Sequence, residues 1–375
     1  MEKVQDLLVA DSDALRRRFG KPGFQDYVLQ LGGNDPFEVE ACLQRLAVFG
    51  YEFPEVNLNC GCPSIESGGA TTFGASLMKQ PQLTKELLAS IKCSVGQNTK
   101  VSMKSRIGVY ETAEEMESFN QNLNYQVLQN YISHAAQAGI DHVVLHARPV
   151  VLSGLSPTKN RQIPMLQYEL VRQVAHDFRN LKVTLNGGIA SLHQLSNLAE
   201  EAKSSNDVTI CSFMAGRWML RRPLDLAFAS QALLGPRTGP KDEVSRKCVM
   251  AVECYVEYVK QTLHLHRHKA SATSTVADLC LPMFLIAQQL REDHEQLLVD
   301  QEDYQIDAFL LSKQSIEELY SILREAMVSI QELLSKKKRI GISGSQIEWK
   351  KLTDSFKDLV GVKVANKWKR NRAEL

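Results

Sequence analysis

Short apolar runs rich in β-branched residues punctuate the first part of the chain, and stretches with helical spacing separate them. The runs are YVLQLGG (27–33), EVNLNCG (55–61), VSMKSRI (101–107), HVVLHAR (142–148), KVTLNGG (182–188) and VTICSFMAGR (208–217). Between the first two lies DPFEVEACLQRLAVFG, with Pro36 just inside its start and Gly50 at its end, the termini a helix prefers. Strands alternating with helices predict a parallel sheet, because a helix must carry the chain back between parallel neighbours. An open doubly wound sheet and a (β/α)8 barrel both satisfy this alternation.

The polar positions separate the two. Gln30, Asn59, Lys104, His146 and Asn186 all fall in the last residues of their strands. A barrel gathers those ends on one face, where its site is built, so the pattern favours the barrel. The last two units end in NGG and AGR, placing Gly187, Gly188, Gly216 and Arg217 where such barrels hold a phosphate.

Beyond Pro223 one helix is predicted, then the turn-rich LGPRTGPKDE (234–243), after which the pattern is wholly helical. The expected organisation is an α/β barrel over 1–234, a linker over 235–243 and an all-α domain over 244–375. Residues 335–375 carry twelve Lys/Arg against four Asp/Glu, including KKKR and KWKRNR. Such a run is ordinarily a solvated face.

Composition adds limits. A chain of 375 residues, 44% hydrophobic and 23% charged, has the make-up of a globular protein of two domains. A formal charge of +1 means that any nucleic-acid surface must arise from local clustering. No apolar stretch approaches bilayer length, so no membrane association is expected. With no signal peptide recognised, a reducing compartment is expected, the cytoplasm or, if a transit peptide is missing from the N-terminus, an organelle. A monomer is expected.

VNLNCGCPS (56–64) sets Cys60 and Cys62 one residue apart, open to reading as a metal clip, a disulfide or an acid thiol. The eight cysteines form no C-x-x-C pair, and a structural zinc site would ordinarily need two. LHLHRHK (263–269) alternates histidines as a metal strip would, but its helical context favours a solvated or RNA-facing surface.

LQLGG, NLNCGCPS, FGASLM, SMKSRIG, HAR followed by LSGLSPTKNRQIP, NGGI and MAGR occur in an order and spacing that resembles the tRNA-dihydrouridine synthases, most closely their A-type branch. The resemblance covers roughly residues 25–235. It implies FMN-dependent reduction of a uridine C5=C6 bond in tRNA, in the D-loop, with NADPH as reductant and hydride passing from reduced FMN to C6. Cys62 matches the acid that gives a proton to C5, a task suited to a thiol still protonated at neutral pH. Cys60 is expected to be a packed thiol. The resemblance places Gln30, Lys104 and His146 on the flavin ring or its ribityl chain. It places Asn186, Gly187, Gly188, Gly216 and Arg217 on its phosphate, and Asn59, Arg148 and Arg161 on the base and the tRNA. In that setting the basic C-terminal stretch is expected to touch RNA.

The chain also departs from the family. The usual first strand, ending in an APM-type segment, has no counterpart, DALRRRFG aligns with a loop, and six strands can be counted. A barrel lacking its first one or two strands is therefore expected, with exposed sheet edges. Two other classes stay open: a flavin barrel acting on a free pyrimidine, and a non-catalytic tRNA-binding remnant.

Overall fold

A computed structural model describes residues 1–63, 72–119, 123–204, 210–234, 241–265, 272–299, 311–333 and 349–360. Its centre is a sheet of seven strands: β1 (Glu2–Lys3), β2 (Leu29–Gly32), β3 (Glu55–Cys60), β4 (Lys100–Arg106), β5 (His142–His146), β6 (Lys182–Asn186) and β7 (Ile210–Met214). Neighbours follow chain order, and every pair is parallel. Among the described residues this is the strand order of a TIM-type barrel, with seven strands where eight would close it. Among the described residues, β1 and β7 are its two edges.

Helices cover the outer face. Pro36–Val48 starts where expected: the Asp35 carboxylate accepts from Phe37 N at 2.8 Å and Glu38 N at 3.2 Å. It buries Val39, Cys42, Leu43 and Leu46 at helical spacing and ends before Gly50, whose φ of +79° suits glycine. Pro81–Ser94, Tyr125–Gln137 and Tyr168–Asp177 return the chain between later strands.

The structure corrects three expectations. A seventh strand, β1, pairs Glu2 with Leu31 and Lys3 with Gly32, where six were counted; two residues carry too little periodicity to be read. DALRRRFG is largely a helix, Ser12–Phe19, rather than a loop. Asp11 caps it by accepting from Ala14 N at 2.7 Å, and Leu15 and Phe19 bury one face. Of the turn-rich stretch at 234–243, residues 235–240 lie outside the described residues, and a helix already runs from Lys241 to Leu265.

By compactness the chain forms two units, Met1–Ile189 with Glu201–Met214, and Ala190–Glu200 with Ala215–Leu375. All seven strands belong to the first. The second is helical, its longest elements being Lys241–Leu265, Ala272–Val299 and Lys313–Leu333. It contains a buried polar cluster around Arg222, which donates to Asp225 at 2.9 Å and to Asp293 at 2.7 Å. The same Asp225 accepts from Trp218 Nε1 at 2.7 Å and Gln289 Nε2 at 2.8 Å. Of the basic stretch 335–375, the described part is the helix Trp349–Val360; KKKR and KWKRNR lie outside the described residues, as do 266–269 of LHLHRHK. No helix among the described residues is long and apolar enough to cross a membrane.

Candidate functional site

Alternation along the strands sends one polar set to the sheet face opposite the helices. In its lower part, Gln30 Nε2 donates to Asn57 Oδ1 (2.8 Å) and Asn57 Nδ2 to Ser102 Oγ (2.7 Å). Ser102 Oγ donates to Glu55, which also meets His142 Nδ1 at 3.3 Å. His142 Nε2 lies 2.7 Å from Thr184 Oγ1, and Thr184 bonds Ser212. One chain of hydrogen bonds thus runs from β2 to β7. The bond from His142 holds the Glu55 carboxyl below the ordinary carboxylate range, with burial opposing and Ser102 assisting.

Nearer the strand ends lie the residues singled out from sequence. Lys104 Nζ donates to Asn186 Oδ1 at 3.0 Å, and Asn186 Nδ2 donates to Met214 O at 2.7 Å. Burial pushes Lys104 down to about 8, Arg106 adds to that, and Cys62 pulls the other way. Cys62 is half-buried, in the turn after β3. Asn59 Oδ1 accepts from both Gly61 N and Cys62 N at 3.1 Å, while its Nδ2 donates to Gln30 Oε1 at 3.1 Å. The thiol's turn is therefore clamped by the strand that leads into it.

Cys60 sits on the opposite face. It has no exposed surface, neighbours Tyr131 of the helix Tyr125–Gln137, and burial pushes its thiol up to about 12. It is a packed thiol, as expected.

The turn after β6 is built for glycine. Gly187 has φ +108° and Gly188 φ +73°, both in the left-handed region. A Cβ on Gly187 would lie 3.1 Å from His146 Nε2, and one on Gly188 would overlap Leu166. Tyr168 donates its hydroxyl to Gly187 O at 2.7 Å and fixes the turn from outside. Arg148 donates to Gln162 O at 3.4 Å and to Pro164 O, and Arg161 Nη2 reaches Thr158 Oγ1 at 3.4 Å. Both arginines thus fasten the loop that carries LSGLSPTKNRQIP. Gly216 and Arg217 belong to the second unit, where Gly216 precedes the short helix Arg217–Arg221; their link to a phosphate rests on the resemblance.

Sequence reading missed Arg106, Asn160 and Tyr168. Arg106 is 5% exposed and donates to Gly61 O, Pro149 O and Asn160 O. Asn160 is fully buried, its side chain bonded to Val151 N (2.7 Å), Val151 O (2.8 Å) and Leu155 O (3.2 Å). The signal for Arg106 was present: two residues after Lys104 on one strand, it must share that lysine's face.

The family described as "Dihydrouridine synthase (Dus)" matches residues 9–318. The chain belongs to the dihydrouridine synthase family. Among its relatives is a tRNA-dihydrouridine(20/20a) synthase of Shewanella oneidensis, 35% identical over 240 residues, or 64% of this chain and 62% of that protein. Proteins of the same name from Vibrio vulnificus and Pasteurella multocida are 35% and 32% identical over 64% and 67% of this chain, covering 68% and 70% of their own. The chain thus spans about two thirds of the length of the curated relatives it matches. A probable tagatose 6 phosphate kinase from Sinorhizobium meliloti 1021 aligns over 97% of this chain and 86% of its own at 14% identity, but a TM-score of 0.30 carries no argument about fold.

Proposed function

We propose that this chain reduces a uridine of tRNA to dihydrouridine, in the D-loop as the 20/20a in its relatives' names suggests, with Cys62 as the acid. The observation that carries the reading is the clamp on Cys62. Asn59 fixes the two amides at and before the thiol, and Cys62 stands near enough to Lys104 to act on the lysine's charge.

The residues present suit FMN. A half-buried, desolvated ammonium at Lys104, the His146 ring and the side-chain amides of Gln30 and Asn59 form a donor set for an electron-rich ring edge. The glycines after β6 leave a turn without Cβ atoms for a phosphate to approach. When bound, FMN supplies the hydride, and NADPH is the proposed source of its electrons. The protein's own part is to hold and to protonate. Lys104, fixed by Asn186, places positive charge beside the acid turn. Asn59 keeps one amide hydrogen for a base while orienting the Cys62 backbone. The Cys62 thiol gives its Sγ proton to the uracil C5 as negative charge develops there, and water restores it afterwards.

The test is dihydrouridine formation on unmodified tRNA by the full chain supplied with FMN and NADPH. Cys62→Ala is expected to slow it by about 100- to 10,000-fold, the usual cost of losing a general acid. A Cys62→Ala protein as active as wild type would refute the assignment. A wild-type protein that binds tRNA but reduces no uridine would favour the non-catalytic reading.

A further inference from the structure

We infer that Arg106 is a positioning residue that holds His146 in one tautomer, with its hydrogen on Nε2, so that the imidazole meets a ligand as a hydrogen-bond donor. The inference rests on the proposed function only for the ligand's identity. The tautomer itself follows from geometry.

Arg106 Nη1 lies 3.3 Å from His146 Nδ1, and both residues are buried, at 5% and 7% exposure. A guanidinium has donors and no acceptor, so Nδ1 must present its lone pair, and a neutral ring then carries its hydrogen on Nε2. The opposite tautomer would set two N–H groups against each other inside the protein. Arg106 has no easy way to turn aside. Nη1 also reaches Asn160 O at 3.0 Å and Pro149 O at 3.3 Å, and Nε reaches Gly61 O at 3.4 Å. These acceptors are backbone carbonyls on three segments, and one of them is anchored by the fully buried Asn160 side chain. The guanidinium is thereby fixed by two carbonyls that share Nη1 with the imidazole and by a third on Nε.

A Cβ on Gly187 would stand 3.1 Å from Nε2, 3.2 Å from Cε1 and 3.3 Å from Cδ2, so the glycine turn packs on the face of the ring beside Nε2. A donor at Nε2 selects a partner that accepts: a ring carbonyl, an unprotonated ring nitrogen or a phosphate oxygen. A ligand N–H at the same place would meet another N–H. Arg106 also joins the backbone just before Cys62 to the loop that ends at Asn160, so the orientation of His146 and the placement of the thiol turn share one hub.

The test is long-range proton–nitrogen NMR on the full chain labelled with nitrogen-15 histidine, with His146→Gln identifying the signals of His146. The wild type is expected to show a protonated Nε2 and a strongly deshielded, unprotonated Nδ1. In Arg106→Met that pattern is expected to shift toward a mixture of tautomers, and Arg106→Lys, which retains a donor, to return it toward wild type. A wild-type ring with its hydrogen on Nδ1 overturns the inference. So does an Arg106→Met protein that folds and keeps the wild-type pattern. Should Arg106→Met fail to fold, the wild type and Arg106→Lys decide, and hydrogen on Nδ1 in either overturns it. None of these readings needs turnover, so an inactive wild-type protein would count against the proposed function and leave this inference standing.

Discussion

Lys104 Nζ donates to Asn186 Oδ1 across the strand that separates them, at 3.0 Å. β5 lies between their strands, and its Val144, level with Lys104, is almost wholly buried. The lysine therefore spans an apolar step to reach an amide that is itself held by Met214 O. Its ammonium is strongly desolvated, which is why burial pushes it down to about 8.

That shift has a sign that can be measured. A lysine whose folded value lies below its unfolded one binds fewer protons folded than unfolded between about pH 8 and 10.5. Its charge weighs against folding below that window, and the penalty is relieved as pH rises through it, by up to about 1.4 kcal/mol per pH unit. Urea titrations of wild type and Lys104→Met across this range are expected to show the rising increment in the wild type alone. Parallel curves would mean that the charge is not desolvated.

Asp293 gives the opposite case in the second unit. Burial raises its carboxyl to about 6, with Arg222 opposing. A raised acid binds more protons folded than unfolded between about pH 4 and 6, so this contribution is present below 4 and is lost as pH rises through 6. Asp293→Asn is expected to flatten the pH dependence of unfolding there. Arg222→Met, which strands two acids, is expected to cost roughly 3–5 kcal/mol; a loss below about 1 kcal/mol would show that the cluster relaxes.

Alkylation should divide the cysteines by burial. Cys93, Cys211 and Cys254 are exposed and Cys62 is half-buried, whereas Cys42, Cys60, Cys248 and Cys280 are buried. Mild iodoacetamide treatment followed by peptide mass analysis is expected to mark Cys62 and to spare Cys60 two residues away. Labelling of Cys60 at the rate of Cys93 would contradict its placement behind the sheet.

Gly187→Ala probes the turn after β6. At φ +108° an alanine is strained, and its methyl would press on His146. A cost of about 1–3 kcal/mol is expected, together with weaker FMN binding by fluorescence titration. Unchanged stability and unchanged affinity would show that the turn can move aside.

Much of this was legible in the chain, for physical reasons that also mark where legibility stopped. Polar residues closing an apolar run stand out, so Gln30, Asn59, Lys104, His146 and Asn186 could be placed at strand ends from their order in the chain alone. β1 could not, since two residues have no period. Alignment with the family assigns Ser12–Phe19 to a loop, although Leu15 and Phe19 stand at i, i+4 and give the helix its buried face. Asn160 was invisible for a different reason. Its side chain closes on backbone groups of Val151 and Leu155, and its carbonyl meets Arg106 from 54 residues away, partners that no local pattern encodes.

The hydrogen-bond chain from Gln30 to Ser212 has a consequence for how the sheet assembles. A wholly apolar interior would accept a slipped strand with little complaint, since one aliphatic side chain replaces another. Here a slip of one residue turns Glu55, Asn57, Ser102 or His142 toward the helices and brings Leu58 or Val143 inward. Each such error leaves a carboxylate, amide or imidazole dry and unmatched, which is far costlier than a poor fit between methyl groups. The interior therefore proofreads its own alignment: strands docked out of step are the ones most readily released.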